Sequence, residues 1–509
     1  MRIALLILIG ALLGVASLPY LLFRQVDLPA GTNLRSAGFE FSEARLLIDR
    51  TVWDAEGAKP LVAHRIFDTV LAEIEAAESF VIADFFLWNP WRGAVELSGE
   101  LRPLAEELAD ALIRKRIQNP ATPILVITDP INRLYGDQAP EYFERLASVG
   151  IPVVFTDLSQ LRDSNRVYAP QARFWGQYLP EGDLQNDARP VPNIFDSAGD
   201  KLTMAQLGRL LYFKANHRKV LVTGYRQSAA RVVIGSLNPA DGSANHSNLG
   251  VLVDGAVALY AAHSELEVAQ WSSQNSSQIQ GRLSFEAAKA ISKIRQLLPD
   301  VRSLPQARAG ASTVAWRSEG AIQDELVVQL NQATAGSRID AGVFYFSDRR
   351  IVQAFKEAIG RGAQVRLLLD ANRDAFGRGK NGIPSRTVAA ELIELASEGL
   401  VEVRWAATHG EQYHAKVLRI VGVRQDMLFL GSANWTRRNL GNLNLEANLL
   451  FQDAVALGRE FDDYFERLWT NADGYVESLP YDDWAEGGWS LRWKTWLYRF
   501  QEWSGASTF

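Results

Sequence analysis

Two stretches of the chain repeat one another. His217-Arg218-Lys219, Gly235-Ser236-Leu237-Asn238 and Asn248-Leu249 are matched by His414-Ala415-Lys416, Gly431-Ser432-Ala433-Asn434 and Asn444-Leu445. The step is 197 residues at the histidine and 196 at the glycine and at both asparagines. A chain with only six histidines does not produce such a register by chance. A repeat of this length calls for two copies of one folded unit, and 509 residues exceed what a single ordinary core accommodates.

The repeat reaches beyond the motifs. Residues 80–88 and 338–346 read as buried strands, each after a helix-like segment. Residues 109–118 and 351–361 then read as helices, followed by strands over 123–129 and 364–370. A third pair sets 141–147 before the strand 151–155, and 390–396 before 401–405. Alternating helix and near-continuous apolar strand predicts the α/β class, with two layered α/β domains on largely parallel sheets. The copies differ in length: Ser79 to His217 spans 138 residues and Ser337 to His414 only 77. The excess is expected within 156–212, as a lid or substrate loop. A helix over 284–298 ends at Pro299, and 299–313 reads as the linker. The expected division is therefore 1–30, 31–300 with the long insertion, 301–470, and a Trp-rich tail over 471–509.

Both ends of the chain point to a membrane. Residues 3–23 are 21 mostly apolar positions between Arg2 and Arg24, enough to cross a bilayer as a helix. The rival is a signal peptide, with Gly14-Val15-Ala16 as its cleavage site. The apolar run continues past that site, which favours the uncleaved anchor. Either reading sends the chain to, or across, a membrane, and suggests a bacterial cell envelope. In the tail, Trp489, Trp493, Trp496, Phe500 and Trp503 fall on one helical face, with Arg492, Lys494, Arg499 and Glu502 off it. Such a helix either packs its aromatic stripe on the globular body or lies in the lipid headgroup layer.

Composition removes several classes. Apolar content of 47% and charged content of 22% fit a folded protein. A net charge of −6 argues against a nucleic-acid partner. With no cysteine, disulfides, thiolate metal sites and a Cys nucleophile are excluded.

The motif residues suit a phosphodiester. A neutral imidazole can attack phosphorus to give a phosphohistidine, while a second imidazole protonates the leaving oxygen and later deprotonates the acceptor. Lys219 and Lys416 share a strand face with His217 and His414, because side chains alternate. From there each ammonium would hold a non-bridging oxygen. Ser236, Asn238, Ser432 and Asn434 follow apolar strands, 231–234 and 427–430, and are expected to donate hydrogen bonds to the same oxygens. The scheme needs no metal or cofactor. A lone H-x-K is more simply a strand with surface His and Lys, but two copies with matched G-S-x-N reverse that preference.

With both motifs assembled, the chain resembles the phospholipase D superfamily, marked by a duplicated H-x-K-x4-D followed by G-S-x-N. The resemblance spans roughly 50–470. It implies two halves packed about a pseudo-twofold axis, an internal pseudo-dimer in which a monomer suffices. His217, Lys219, Ser236 and Asn238 then face His414, Lys416, Ser432 and Asn434, with His217 as nucleophile and His414 as general acid. The chain departs from the family at Gly224 and Val421, where the motif has aspartate. Glu446 supplies the carboxylate that often orients a family histidine, and the repeat register sets Gly250 opposite it in the first copy. His246 and His409 lie near the motifs in sequence; His64 and His263 read as helix-surface or core residues. The implied activity is a membrane-associated phospholipase D or cardiolipin synthase-like phosphatidyltransferase on phospholipids. The alternatives are a nuclease of the same chemistry and a non-catalytic membrane scaffold. Water or an alcohol as acceptor stays open.

Overall fold

The computed structural model describes residues 26–53, 60–92, 101–135, 139–176, 189–193, 201–275, 282–375, 378–394, 399–423 and 425–506, with 14, 17 and 18 besides. The expected anchor or signal peptide over 3–23 thus lies almost wholly outside the described residues. Among the described residues no helix is long and apolar enough to cross a membrane.

The first sheet holds eight strands: β1 (Ala44–Trp53), β2 (Pro60–His64), β3 (Phe80–Phe85), β4 (Ile124–Thr128), β5 (Val153–Phe155), β6 (Lys219–Gly224), β7 (Arg231–Gly235) and β8 (Asn248–Asp254). The second half adds β9 (Thr313–Ser318), β10 (Arg338–Val343), β11 (Gln364–Leu369), the small pair β12 (Asp374–Ala375) and β13 (Arg378–Gly379), then β14 (Val401–Ala406), β15 (Lys416–Gly422), β16 (Gln425–Gly431), β17 (Ala447–Gln452) and β18 (Ser478–Pro480). The sheet orders are β2-β1-β8-β7-β6-β3-β4-β5 and β18-β14-β11-β10-β15-β16-β17-β9. Reversing the second gives the same seven-strand path twice, which is the duplication in structural form.

The sheets are mixed, not largely parallel as expected. Only β3-β4-β5 and β10-β11-β14 run parallel. The motif strands pair antiparallel, β6 with β7 and β15 with β16. The connections from Gly224 to Arg231 and from Gly422 to Gln425 are too short for the crossover a parallel pair requires. The strand-helix alternation was legible only where crossovers exist.

Strands such as β3 and β4 are buried on both faces. On one face the helices Arg65–Ala76, Leu104–Gln118 and Glu141–Ser148 cover the first sheet. On the other, β6, β7 and β8 share one continuous core with the helix Ala256–Asn275, β9, β16, β17 and the helix Val455–Thr470. The halves are therefore joined through apolar interior. Strand exchange across the expected domain limits reinforces this. Arg35 and Phe39 bridge to Arg317 and Val314 of β9, and β18, from the tail, extends the second sheet at β14.

Candidate active site

Each motif histidine is held by the opposite half. His217 N donates to Leu445 O at 2.9 Å, and Leu445 N returns a bond to Ala215 O at 3.0 Å. The counterpart is His414 N to Ser247 O at 2.8 Å, with Ser247 N to Gln412 O at 2.9 Å. These reciprocal bonds define the pseudo-twofold and bring both imidazoles to one cleft of about 240 Å³. Phe86, His217, Asn238 and His246 line it from the first half; Phe344, His414, Asn434 and Arg438 line it from the second.

The ring contacts differ. His217 Nδ1 lies 2.7 Å from Oε1 of Glu446. His414 Nδ1 instead meets Ser236 O at 3.0 Å and Asn248 Oδ1 at 3.2 Å. Ser236 Oγ donates to Asn248 Oδ1 and accepts from Leu249 N; Ser432 Oγ donates to Glu446 Oε2 and accepts from Ala447 N. Asn248, not Gly250, is thus the structural counterpart of Glu446. The strand pairing agrees, setting Gly235 against Gly250 and Gly431 against Asn448. The second copy has two more residues before this position, so the step is 198 there and the Asn248/Asn444 match is one of sequence alone.

Both serine hydroxyls are consumed by these bonds and lie behind the cleft lining, so they do not reach phosphoryl oxygens as expected. The asparagines do line the cleft, and Oδ1 of Asn238 and of Asn434 is buried without a protein partner. An amide so placed offers either its oxygen or, rotated, its NH2 to a ligand. Lys219 Nζ donates to His217 O at 2.8 Å and Lys416 Nζ to His414 O at 2.5 Å. The ammoniums therefore sit one layer behind the imidazoles, each under an aromatic ring, 5.1 Å from Phe86 and 5.2 Å from Phe344.

Burial governs the charges. It pushes His217 down to about 4 against the opposing pull of Glu446, so the ring is neutral at ordinary pH. Burial alone would raise Glu446, but His217, Lys219 and Ser432 outweigh it and hold the carboxyl below its usual range. A neutral ring with Nδ1–H toward a carboxylate leaves the Nε2 lone pair free. Burial, then Lys416 and His246, drive His414 well below 6.5. Burial brings Lys219 down to about 7.

Some supporting residues carried no motif. Asp129 Oδ2 accepts from Asn216 N at 2.7 Å, and Asp370 Oδ2 accepts from Tyr413 N at 2.9 Å, so each carboxylate anchors the residue before a histidine. The signal existed: both end the second strand of their repeat. Phe86 and Phe344 flank the imidazoles at 4.7 and 5.1 Å. His246 lines the cleft and accepts from Gln412 N at 3.2 Å. His409 packs at a tilt against Trp53, ring centroids 4.8 Å apart, outside the cleft lining. His64 contacts Ala244 O and His263 contacts Pro299 O, both away from it. Leu210, Phe213 and Lys214, at the end of the long insertion and just beyond it, form part of the rim.

Residues 326–469 match the family model described as cardiolipin synthase, PLD-like domain. That stretch of the chain is phospholipase D-like. Phosphatidylserine synthase from Haemophilus influenzae Rd KW20 superposes with a TM-score of 0.52 at 12% identity, over 92% of this chain and 96% of that one. That likeness is one of fold, and it takes in both halves of this chain. Nuc from Salmonella typhimurium, a phospholipase D family member, aligns at 19% identity over 31% of this chain and 95% of its own, with a TM-score of 0.26. No curated protein matches the chain.

Proposed function

We propose that the chain is a phospholipase D-type, membrane-associated phosphodiesterase or phosphatidyltransferase acting on phospholipids through a phosphohistidine. The observation that carries the reading is the pair of imidazoles from opposite halves, facing one cleft with different Nδ1 partners. His217, neutral and oriented by Glu446, attacks phosphorus through Nε2; a P–N bond forms as the P–O bond to the departing alcohol breaks. His414 gives that oxygen a proton. An incoming hydroxyl then returns its proton to His414 as it displaces His217. Asn248 is neutral, so His414 has no fixed carboxylate to stabilise its charge. The phosphodiester anion supplies that charge on binding, which couples protonation of the acid to the presence of substrate. Leu87, Trp91, Ile131, Leu210 and Phe213 give the lining an apolar share suited to acyl chains, beside Arg92, Lys214 and Arg438, which suit a phosphate.

The test is incubation of the full chain with phosphatidylglycerol or phosphatidylcholine, with and without added alcohol. Phosphatidic acid, cardiolipin or a phosphatidyl-alcohol as product supports the reading, and the product identifies the acceptor. Loss of product in both His217→Ala and His414→Ala is expected. Persistence in either variant sinks the assignment, as would cleavage of DNA with no action on lipid.

A further inference from the structure

The helix Gly488–Ser504 carries its apolar stripe outward. Trp489, Trp493, Trp496, Phe500 and Trp503 are 78%, 48%, 56%, 45% and 57% exposed. Successive rings form a ladder with centroids 6.3, 5.1, 5.7 and 6.0 Å apart, the first three steps within 20° of parallel. The opposite face holds the helix to the body. Tyr498 is fully buried and its hydroxyl accepts from Arg349 at 2.8 Å. Glu502 is buried too, bonded to Ser347 and accepting from Arg437 N at 3.1 Å. Among the described residues the aromatic stripe is therefore left without a partner by a helix that is otherwise firmly docked. Five large rings in a row far exceed the scattered exposure normal for a surface.

Two further features meet this helix at its C-terminal end. Arg166 N donates to Ser504 O at 2.7 Å, and Arg162 Nε donates to Val26 O at 3.1 Å. Val26, which follows the apolar stretch 3–23 in sequence, is thus held four residues from the contact with the Trp helix. Between them, Ser164 Oγ donates to Tyr212 O and Phe213 O at 2.9 and 2.7 Å, and Phe213 belongs to the cleft rim. The end of the Trp helix, Val26 and the cleft-lining Phe213 all bond to residues 162–166.

We propose that this side of the molecule rests on a lipid bilayer, with the Trp ladder in the headgroup layer and the cleft mouth at the membrane surface. The occupant is a bilayer rather than a second copy of the chain for three reasons. The 21-residue apolar stretch that ends shortly before Val26 in sequence has the length of a membrane span. Trp is the residue favoured at the lipid–water boundary. Arg492 and Arg499 flank the stripe, both exposed, and complement anionic lipid. The inference deepens the phospholipid reading above and rests on it for the substrate, but not for the contact itself.

The test reconstitutes the full chain in phosphatidylglycerol–phosphatidylcholine vesicles carrying brominated acyl chains. Bromine should quench part of the tryptophan emission, and that part should fall by more than about half when Trp489, Trp493, Trp496 and Trp503 are replaced by Phe. Buried indoles such as Trp316 and Trp405 should stay unquenched. Separately, Trp493→Glu/Trp496→Glu should slow turnover of vesicle phosphatidylglycerol by about tenfold and leave turnover of a short-chain monomeric diester unchanged. Quenching that is absent, or equal in the Phe variant, overturns the proposal; so does a change from dimer to monomer as the effect of the Glu variant. Quenching with no turnover of either lipid would uphold the membrane contact and defeat the proposed function alone.

Discussion

His217 and His414 occupy equivalent places but are tuned by different groups, a carboxylate 2.7 Å from one ring and a carboxamide 3.2 Å from the other. Glu446→Gln removes the charge that raises proton affinity at His217. Since burial already holds that ring near 4, its pKa should fall further, and the acid limb of kcat/KM should move to lower pH. The rate should drop at least about tenfold from lost orientation. A pH–rate profile checks both; an acid limb that rises would contradict the assignment. Asn248→Asp does the converse for His414, stabilising the imidazolium and moving the alkaline limb up. The buried lysine links the site to stability. Lys219 titrates near 7 in the fold against 10.5 when free, so between these values the unfolded chain binds a proton that the folded one does not. Lys416 is shifted in the same direction. Stability should therefore rise between about pH 8 and 10, and Lys219→Met should flatten that rise in urea titrations.

At the scale of elements, the strands carrying G-S-x-N end where they pass another strand closely. A Cβ on Gly235 would sit 2.6 Å from Cα of Gly250, and one on Gly431 would sit 2.6 Å from Cα of Asn448. These contacts are backbone and cannot swing aside. Gly431→Ala is thus expected to cost about 1–3 kcal/mol by prying β16 from β17, read as a lower denaturation midpoint. Because Ser432 and Glu446 sit on that crossing, activity should fall by more than the stability loss explains. The motif glycine lets the strand ends approach, and the motif serine locks them by bonding across. The tail helix makes a related point. Its periodicity located the stripe, whereas its polar face, through Tyr498 and Glu502, decided which side meets the body.

Across the whole molecule, the site belongs to neither half. Arg218, between His217 and Lys219, turns away from the cleft into full burial, where it meets Glu265 at 3.2 Å and Glu319 of the second half at 2.8 Å. Glu319 also accepts from Glu446 N at 3.0 Å and from Asn33 N at 2.5 Å. This network ties the strand that follows His217, the carboxylate Glu446 beside that ring and the segment before β1. Arg218→Ala would leave two buried carboxylates unpaired and is expected to cost about 3–5 kcal/mol. Thermal denaturation and activity should fall together. A variant with unchanged midpoint would show that the network is not holding the halves.

The duplication and most of the strands were legible in the residues alone, because a repeated register and a short run of apolar residues can be read along the chain. The sequence also supplied the two histidines and the asparagines that line the cleft. Only the tertiary structure decided which groups face one another across the pseudo-twofold. Asn248 stands opposite Glu446 because two inserted residues shift the loop, and insertions are invisible to a fixed step. The serines and lysines lie outside the cleft lining, since alternation along a strand fixes a face but not what that face meets. Asp129 and Asp370 were in plain view as strand-ending acids, yet their partners lie 87 and 43 residues away in the chain. Contacts at such separations are set by packing of the whole fold, and no local pattern records them.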